Sequence, residues 1–234
     1  MNTEEQKRAV GEAAAALVDD SVHVIGLGTG TTAIWFVKAL AARMTAGKIG
    51  RRPCVATSVE TETLARSLGI PMIELDEAGP IDLTVDGADE IGPGLALIKG
   101  AGGALVREKL VWEASRRVVV IADAGKRVAM LGRRYPLPIE VIAFGHKTTL
   151  HRIIDGLADS GVPANPTLRL KDGAPFVTDN GNLIYDAACG AILDPPGVEA
   201  ALKSITGVVD HGLFLGLAQS ALIGTDDGVV TLTA

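Results

Sequence analysis

Cysteine, aromatic residues and long apolar runs are all scarce in this sequence, and each scarcity excludes a class of protein. The 234 residues include two cysteines, Cys54 and Cys189, whose spacing fits neither a CxxC metal pair nor a disulfide scaffold. Aromatic residues make up 3% of the chain, which is too few for a base-stacking platform. No uncharged apolar run approaches the roughly 18 residues of a membrane span, and the first ten residues lack the apolar segment of a secretory signal. The sequence therefore predicts a protein of the reducing cytoplasm.

The charge balance is acidic, with 22 basic and 28 acidic residues and a formal net charge of −6. A nucleic-acid-binding protein is expected to carry a basic face, so this balance argues against that class. Hydrophobic residues make up 47% of the chain and charged residues 21%, which is typical of globular proteins and not of disordered ones. At about 150 residues per domain, the chain has room for one large domain or two small ones.

Short apolar segments alternate with helical patterns through the first 131 residues. The pattern predicts strands at 22–27, 55–57, 72–75, 81–85, 95–98 and 118–122, and helices at 4–18, 31–44, up to 68, and 104–115. Thr3 and Gln6 have the spacing of a capping box at the start of the first helix. This alternation predicts an α/β fold with a mostly parallel sheet and helices on both of its faces.

The pattern changes near Gly132, where prolines interrupt the chain. We predict a small α+β subdomain at 132–205. It would hold a strand at 139–144, helices at 147–160 and 198–203, and a hairpin around Asn180-Gly181. Strands expected at 208–209, 221–223 and 229–232 would rejoin the first domain, which then comprises 1–131 and 206–234.

In open parallel sheets ligands bind at the carboxyl ends of the strands, so the residues after each strand are candidates for a site. The first strand leads into a glycine-rich turn, Gly28-Thr29-Gly30-Thr31-Thr32, before a helix. Its backbone N–H groups and hydroxyls suit a small anion or a sugar. A tight turn with threonine caps is the structural alternative. The turn lacks the last glycine of a dinucleotide fingerprint and the lysine of a P-loop.

Charged residues follow three other predicted strands. The run Asp86-Gly87-Ala88-Asp89-Glu90 fits either a Mg²⁺ site or hydrogen bonds to sugar hydroxyls, and the sequence leaves both open. Lys99 precedes the glycine-rich loop Gly100-Ala101-Gly102-Gly103, where its cation could face bound oxyanions. Asp123 and Lys126 follow the last of these strands. Together the strand ends predict a small, polyhydroxylated, anionic ligand such as a sugar phosphate.

Glu108 is the most informative single residue of the sequence. Its neighbours three and four residues away on the predicted helix are all apolar, namely Ala104, Leu105, Val111 and Trp112. A carboxyl group on an apolar sector is costly unless it has a partner from elsewhere in the fold or a raised pKa. A raised pKa suits a general base that works near neutral pH, whereas a salt bridge to a distant Arg or Lys is the structural alternative.

Seven segments, in this order, resemble the type A family of ribose-5-phosphate isomerases. They are GLGTGTT (26–32), TVDGADEI (84–91), IKGAGGALVREK (98–109), ADAGK (122–126), LPIEV (137–141), VTDNGN (177–182) and ALIGTDDGV (221–229). The chain departs from the family pattern at Ala101, where another glycine is usual, and at Gly125, where serine is common.

The resemblance implies a Rossmann-like α/β domain with an inserted ferredoxin-like subdomain. It implies interconversion of ribose 5-phosphate and ribulose 5-phosphate with no metal or organic cofactor, in a cytoplasmic homodimer of the non-oxidative pentose phosphate pathway. Glu108 would move a proton between C1 and C2 through a cis-enediolate, Lys99 would stabilise the enediolate oxygens, and Asp86 would assist ring opening. The substrate-binding residues implied are Thr29, Gly30, Thr31, Thr32, Asp86, Gly87, Ala88, Asp89, Lys99, Gly100, Ala101, Gly102, Lys126 and Lys7.

Other functions fit parts of the same pattern. A sugar-phosphate sensor would not need Glu108, and it would need a DNA-binding module for which the segment before the first helix has no room. A coenzyme A transferase or an amino-sugar-phosphate isomerase would share the fold, and the transferase would use a glutamate as its nucleophile. A nicotinamide dehydrogenase fits least, because the final glycine of the fingerprint is missing.

Overall fold

The computed structural model describes residues 1–233, which form seven α-helices and fifteen short strands. The helices are α1 Thr3–Ala16, α2 Ala33–Thr45, α3 Val59–Ser67, α4 Leu75–Ala78, α5 Leu105–Glu113, α6 His146–Asp159 and α7 Pro195–Lys203. The strands are β1 Ile25–Leu27, β2 Cys54–Ala56, β3 Leu83–Asp86, β4 Glu90–Ile91, β5 Leu97–Ile98, β6 Val118–Asp123, β7 Leu137–Val141, β8 Thr167–Leu168, β9 Leu170–Lys171, β10 Ala174–Pro175, β11 Leu183–Ala187, β12 Val208–His211, β13 Leu213–Phe214, β14 Ser220–Thr225 and β15 Gly228–Thr233. Within residues 1–233 no helix is long and apolar enough to cross a membrane.

The chain divides into two compact units. Unit 1 comprises Met1–Ala88, Arg107–Lys126 and the segment from Gly216 onward, and unit 2 comprises Asp89–Val106 and Arg127–Leu215. The predicted subdomain at 132–205 lies within unit 2. Unit 2 also includes 89–106, because β4 and β5 join β13 in a three-stranded sheet.

Unit 1 is built on a six-stranded sheet in the order β15-β14-β6-β3-β1-β2. All neighbouring pairs are parallel except β14 and β15, so the predicted mostly parallel α/β sheet is confirmed. Every residue of β6 is buried, as expected for a strand whose sheet is covered on both faces. The carboxyl ends of β1, β3 and β6 lie at one edge of this sheet because the three strands run in the same direction.

Unit 2 contains a four-stranded antiparallel sheet in the order β12-β7-β11-β8. Apolar residues of α6 and α7, including Ile153, Leu157, Val198 and Leu202, are fully buried in one cluster with residues of β7 and β11. The sheet explains one error of the sequence analysis, since the strand expected at 208–209 pairs with β7 in unit 2 and does not rejoin unit 1.

One local prediction is wrong. The expected strand at 72–75 is a single bridge between Met72 and Cys54 followed by the short helix α4, whose first turn is acidic. A four-residue apolar run is short enough for either structure, which is why the pattern misled.

The predicted hairpin around Asn180-Gly181 is present as a short one. Val177 and Leu183 form an antiparallel bridge across the turn, and the Thr178 N–H donates to the Asn182 carbonyl at 2.9 Å. Only the second of its two expected strands is a full strand, β11.

Helix α1 begins one residue earlier than its predicted capping box. Asn2 is the N-cap, its Oδ1 accepts from the Glu5 N–H at 3.0 Å, and the Asn2 N–H donates to Glu5 Oε2 at 2.8 Å. Gln6, which the sequence assigned to the cap, is buried and bonds elsewhere in unit 1. Asparagine caps a helix at least as well as threonine, so the local sequence allows either Asn2 or Thr3 as the N-cap of α1.

Glu140 is fully buried on β7 and organises the turn at 178–182. Its Oε1 accepts hydrogen bonds from Thr178 Oγ1 at 3.0 Å and Asn182 Nδ2 at 2.9 Å. Burial raises the pKa of this carboxyl, and the negative charge of Asp210 on β12 acts in the same direction. Lys203 offsets that charge in part through its ion pair with Asp210 at 2.7 Å.

The Glu140→Gln variant is expected to gain stability relative to wild type as pH rises. The raised pKa means that the folded state binds this proton more tightly than the unfolded state, so wild type loses stability above the ordinary carboxyl range. Glutamine keeps the shape and cannot ionise. Chemical denaturation at pH 4 and pH 8 would measure the difference, with Asp155→Asn on the exposed face of α6 as the control. A difference in stability that does not change with pH would contradict the expectation.

Candidate active site

The ends of β1 and β3 approach each other so closely that only glycine fits at position 28. A Cβ on Gly28 would overlap the backbone and carboxyl group of Asp86. The Gly28 N–H donates to the Val85 carbonyl at 2.9 Å, and the next N–H, that of Thr29, donates to Asp86 Oδ1 at 2.9 Å. The glycine-rich turn therefore places Thr29 directly against the first acid of the Asp86–Glu90 run.

Asp86 is fully buried, and both of its carboxylate oxygens accept hydrogen bonds from protein donors. Oδ1 accepts from the N–H groups of Thr29 and Gly87, the latter at 2.7 Å. Oδ2 accepts from Trp112 Nε1 at 3.0 Å. These bonds fix the orientation of the carboxylate, so Asp86 is a rigid anchor of the strand end.

Trp112 is the residue of this site that the sequence analysis missed. It lies on α5 four residues after Glu108, and side chains four residues apart share one face of a helix. Because the Trp112 indole reaches Asp86, Glu108 lies on the face of α5 that contacts the end of β3. Glu108 itself is 4% exposed. The sequence shows Trp112 as an apolar neighbour of Glu108, but nothing in the sequence distinguishes its indole from that of an ordinary core residue.

The Trp112→Phe variant is expected to lose about 1.5–3 kcal/mol of stability, since it removes a hydrogen bond to a buried charged group while keeping an aromatic ring. Trp35→Phe makes the same change on α2, where Trp35 is only half-buried. Urea denaturation of both variants provides the measurement. Equal losses in the two variants would mean that the Trp112–Asp86 bond contributes nothing specific.

Hydroxyl groups cluster beside the glycine-rich turn. Thr29 Oγ1 lies 2.7 Å from Thr57 Oγ1 and 2.8 Å from Ser58 Oγ, and Thr61 Oγ1 donates to the Gly28 carbonyl at 3.0 Å. Thr57 and Ser58 follow β2, so a third strand end supports the turn. The remaining candidates of this turn differ in exposure, with Gly30 and Thr31 exposed and Thr32 buried.

Thr32 is the N-cap of α2, but its side chain makes no capping hydrogen bond. The structural alternative of threonine caps therefore does not hold at Thr32. In the first turn of α2 the Ile34 N–H donates to the Gly30 carbonyl at 3.1 Å and the Trp35 N–H donates to the Thr32 carbonyl at 3.0 Å. The positive end of the α2 dipole lies next to the exposed Gly30 and Thr31, an arrangement that suits an anion.

Two of the implied substrate-binding residues, Lys7 and Lys126, belong to unit 1. Lys7 forms an ion pair with Glu4 at 2.9 Å, and this hydrogen bond lowers the pKa of the exposed Glu4 carboxyl. Gln6, next to Lys7, accepts a hydrogen bond from the Ala124 N–H at 3.3 Å, two residues before Lys126. The start of α1 is thereby tied to the turn that carries Lys126.

In unit 2, the Asp89 carboxylate holds the loop that follows Lys99. Asp89 Oδ2 accepts from the Ala101 N–H at 2.9 Å, and its own N–H donates to the Ile98 carbonyl at 2.8 Å. Lys99 is 2% exposed, and its Nζ lies 5.6 Å from the centre of the Phe214 ring. Most lysines are solvated and a buried one is rare, so its burial sets Lys99 apart from an ordinary surface lysine.

Glu90 has a structural task. It is fully buried on β4, and its carboxylate accepts the N–H groups of Gly132 at 2.6 Å, of Arg134, and of Tyr135 at 2.9 Å. The three acids of the run therefore bind protein N–H groups. Residues 1–233 contain no group of three or more His, Cys, Asp or Glu side chains that could hold a metal ion.

The cysteines take no part in these arrangements. Burial raises the pKa of the Cys54 thiol to about 12 and that of Cys189 to about 11. Neither side chain supplies a thiolate near neutral pH, so a cysteine nucleophile is not available at either position.

Comparison with known proteins identifies a family. The matching family model is Ribose 5-phosphate isomerase A (phosphoriboisomerase A), over residues 53–228. The chain is 61% identical over 232 residues to the ribose-5-phosphate isomerase A of Caulobacter vibrioides, with 99% of each chain covered. It is 47% identical over 237 residues to that of Parvibaculum lavamentivorans, with both chains fully covered.

Solved structures give the same result. The ribose 5-phosphate isomerase from Plasmodium falciparum superposes with a TM-score of 0.93 at 37% identity, with 99% of each chain covered. A D-ribose-5-phosphate isomerase in complex with phospho-erythronic acid has a TM-score of 0.93 at 38% identity, with both chains fully covered.

Proposed function

Because the chain belongs to the ribose 5-phosphate isomerase A family, we propose that it interconverts D-ribose 5-phosphate and D-ribulose 5-phosphate through a cis-enediolate. The reaction moves one proton from C2 to C1 and one hydroxyl proton between the two oxygens, so it needs no oxidant or reductant. The observation that carries the mechanism is the burial of Glu108 on the face of α5 that contacts Asp86.

Glu108 is the general base of this proposal. Its carboxylate would take the C2 proton of the open-chain aldose, exchange it with solvent while the enediolate exists, and deliver a proton to C1. Its burial keeps bulk water away from the carboxylate during proton transfer. The rigid bonding of Asp86 and Trp112 in the same unit would keep this helix face in place during transfer.

Lys99 is the electrophilic partner. Negative charge develops on O1 and O2 as the enediolate forms, and a desolvated ammonium group stabilises such charge more than it could in water. The loop Gly100–Gly102 follows this lysine in unit 2 and is held by the Asp89 carboxylate, which accepts from the Ala101 N–H. Asp89 retains a second carboxylate oxygen for a substrate hydroxyl.

Asp86 would assist ring opening through its oriented carboxylate, and the neighbouring Gly87 and Ala88 would contact the sugar with their backbone. The phosphate is assigned to unit 1. Thr31 at the N-terminus of α2, Lys7 and Lys126 supply hydroxyl, backbone and ammonium donors that suit a phosphate dianion. A phosphorylated sugar acid bound to a structural relative supports a phosphosugar as the substrate class.

The cellular setting also remains a proposal. An isomerase of this substrate pair would act in the non-oxidative pentose phosphate pathway of the cytoplasm, and we expect a homodimer from the family resemblance. No metal or organic cofactor enters the proposed chemistry, because proton transfer and charge stabilisation are supplied by side chains.

Conversion of ribose 5-phosphate by the purified protein in the presence of EDTA tests this function. We expect full turnover, with ribulose 5-phosphate as the product. Turnover abolished by EDTA and restored by Mg²⁺ would instead make Asp86, Asp89 and Glu90 part of a metal site. Tight binding of the sugar phosphate with no conversion would favour the sensor function.

A further inference from the structure

One arginine outside the predicted site holds the loop that follows Lys99. Arg169 Nη1 donates to the carbonyl of Gly100 at 2.9 Å and to the carbonyl of Ala101 at 3.1 Å. Arg169 lies between β8 and β9 in unit 2, about seventy residues further along the chain. None of the sequence motifs that indicated the site includes it.

Arg169 is itself held in a fixed orientation. Its Nε donates to Asp186 Oδ2 at 2.8 Å and its Nη2 donates to Asp186 Oδ1, which makes a two-point ion pair with a residue of β11. The Arg169 N–H donates to the Ile184 carbonyl at 2.8 Å. The guanidinium carbon lies 5.8 Å from the centre of the Phe176 ring. Planar guanidinium groups held by carboxylates in this way are more rigid than lysine ammonium groups.

The loop needs such support because its backbone is rich in glycine. Gly100 has a φ of +99° and Gly103 a φ of +84°, conformations in which glycine is unstrained but highly mobile when unbound. A Cβ at Gly103 would overlap the Phe176 ring, so the aromatic residue beside Arg169 also packs against the loop. Arg169 and Phe176 thus contact the loop at both of its ends.

The bonds to Arg169 determine which way the loop peptides point. In a trans peptide the C=O and N–H groups point in opposite directions, and the chain has no cis peptide within residues 1–233. The Gly100–Ala101 peptide is held on both sides, with its carbonyl on Arg169 and its N–H on Asp89. The next carbonyl, of Ala101, is also on Arg169, so the Gly102 N–H points away from Arg169, toward the side that Asp89 occupies.

We propose that Arg169 is a positioning residue for the isomerisation, which orients the loop so that the Gly102 N–H and Lys99 together face the developing enediolate oxygens. This inference rests on the proposed function. Asp186 is a second positioning residue, because it fixes the orientation of the Arg169 guanidinium that holds the loop. The effect falls on transition-state stabilisation and not on phosphate binding, so the loss should appear in kcat more than in KM.

Steady-state kinetics of ribose 5-phosphate isomerisation tests the proposal. We expect Arg169→Ala to lower kcat about 10- to 100-fold, the range for a catalytic group displaced by about 1 Å. Arg169→Lys should recover only part of this loss, because lysine cannot bridge Asp186 and two carbonyls at once. Added guanidinium ion should raise the kcat of Arg169→Ala. Arg152→Ala on the exposed face of α6 is the control and should behave as wild type.

A double-mutant cycle separates positioning from general stability. In a Lys99→Met background, the Arg169→Ala change should cost much less than it does alone, because part of what the arginine positions is gone. If circular dichroism shows that Arg169→Ala does not fold, the kcat values of Arg169→Lys and Asp186→Asn test the proposal instead. Unchanged kcat in the folded variants, or losses that multiply fully with Lys99→Met, would overturn the proposal. An inactive wild type would instead refute the proposed function on which it rests.

Discussion

The Glu108→Gln variant is expected to lose about 10²–10⁴-fold in kcat, the usual contribution of a positioned general base. Glutamine has the shape of glutamate and can still hydrogen-bond, but it cannot accept the C2 proton. Glu108 lies within the apolar part of α5, so the amide is tolerated by the packing and the substrate should still bind with little change in affinity. Stopped assays with high enzyme concentrations would measure the residual rate, and calorimetric titration would measure binding.

Glu113→Gln is the matched control for this variant. Glu113 is on the same helix and is exposed, so its replacement removes an equal charge at a position outside the proposed chemistry. Its kcat should equal that of wild type. A Glu108→Gln variant with unchanged turnover would remove Glu108 from the role of base and make it a structural carboxylate.

Replacing Lys99 with methionine is expected to lower kcat about 10²–10³-fold, or about 2.7–4 kcal/mol, as for loss of one donor to a developing oxyanion. Methionine preserves the length and apolar stem of the side chain, and the site beside Phe214 can hold it, so the fold should persist. Kinetics and thermal unfolding measured on the same preparation would separate a catalytic loss from a structural one.

Lys171→Met on the exposed strand β9 is the control for this change. It removes the same charge from unit 2 at an exposed position, so it should leave kcat unaltered. If Lys99→Met raised KM by the whole of its effect and left kcat intact, Lys99 would be a binding residue and not a stabiliser of the enediolate.

The candidate residues at the strand ends were predictable from the sequence because polar and charged residues directly follow each short apolar run. Forming the strand does not require these residues. This contrast indicates Asp86, Asp89 and Lys99 as candidates, and the apolar residues around Glu108 on a helix indicate Glu108. In the structure these residues are buried or hydrogen-bonded, as expected for polar groups that have a specific role. Asp86 is fully buried and both of its carboxylate oxygens accept hydrogen bonds, and Lys99 is buried beside the Phe214 ring.

Residues that act through long-range contacts were not predictable. Trp112 is joined to the site by one side-chain hydrogen bond and Arg169 by two, and their local sequence pattern is that of core or surface residues. Glu90 stands next to the candidate residue Asp89 in the sequence, yet its oxygens bind backbone N–H groups more than forty residues away. Sequence spacing reports which residues share a strand or a helix face, and it carries no information about pairing between distant segments.

The measurement that tests this account most directly is the isomerisation of ribose 5-phosphate in D₂O, followed by NMR at C1 of ribulose 5-phosphate. The account predicts that deuterium from solvent enters at C1 with the wild-type protein and that Glu108→Gln slows both conversion and exchange about 10²–10⁴-fold. Conversion at an undiminished rate with no deuterium in the product, in wild type and in Glu108→Gln alike, would contradict proton transfer by this glutamate.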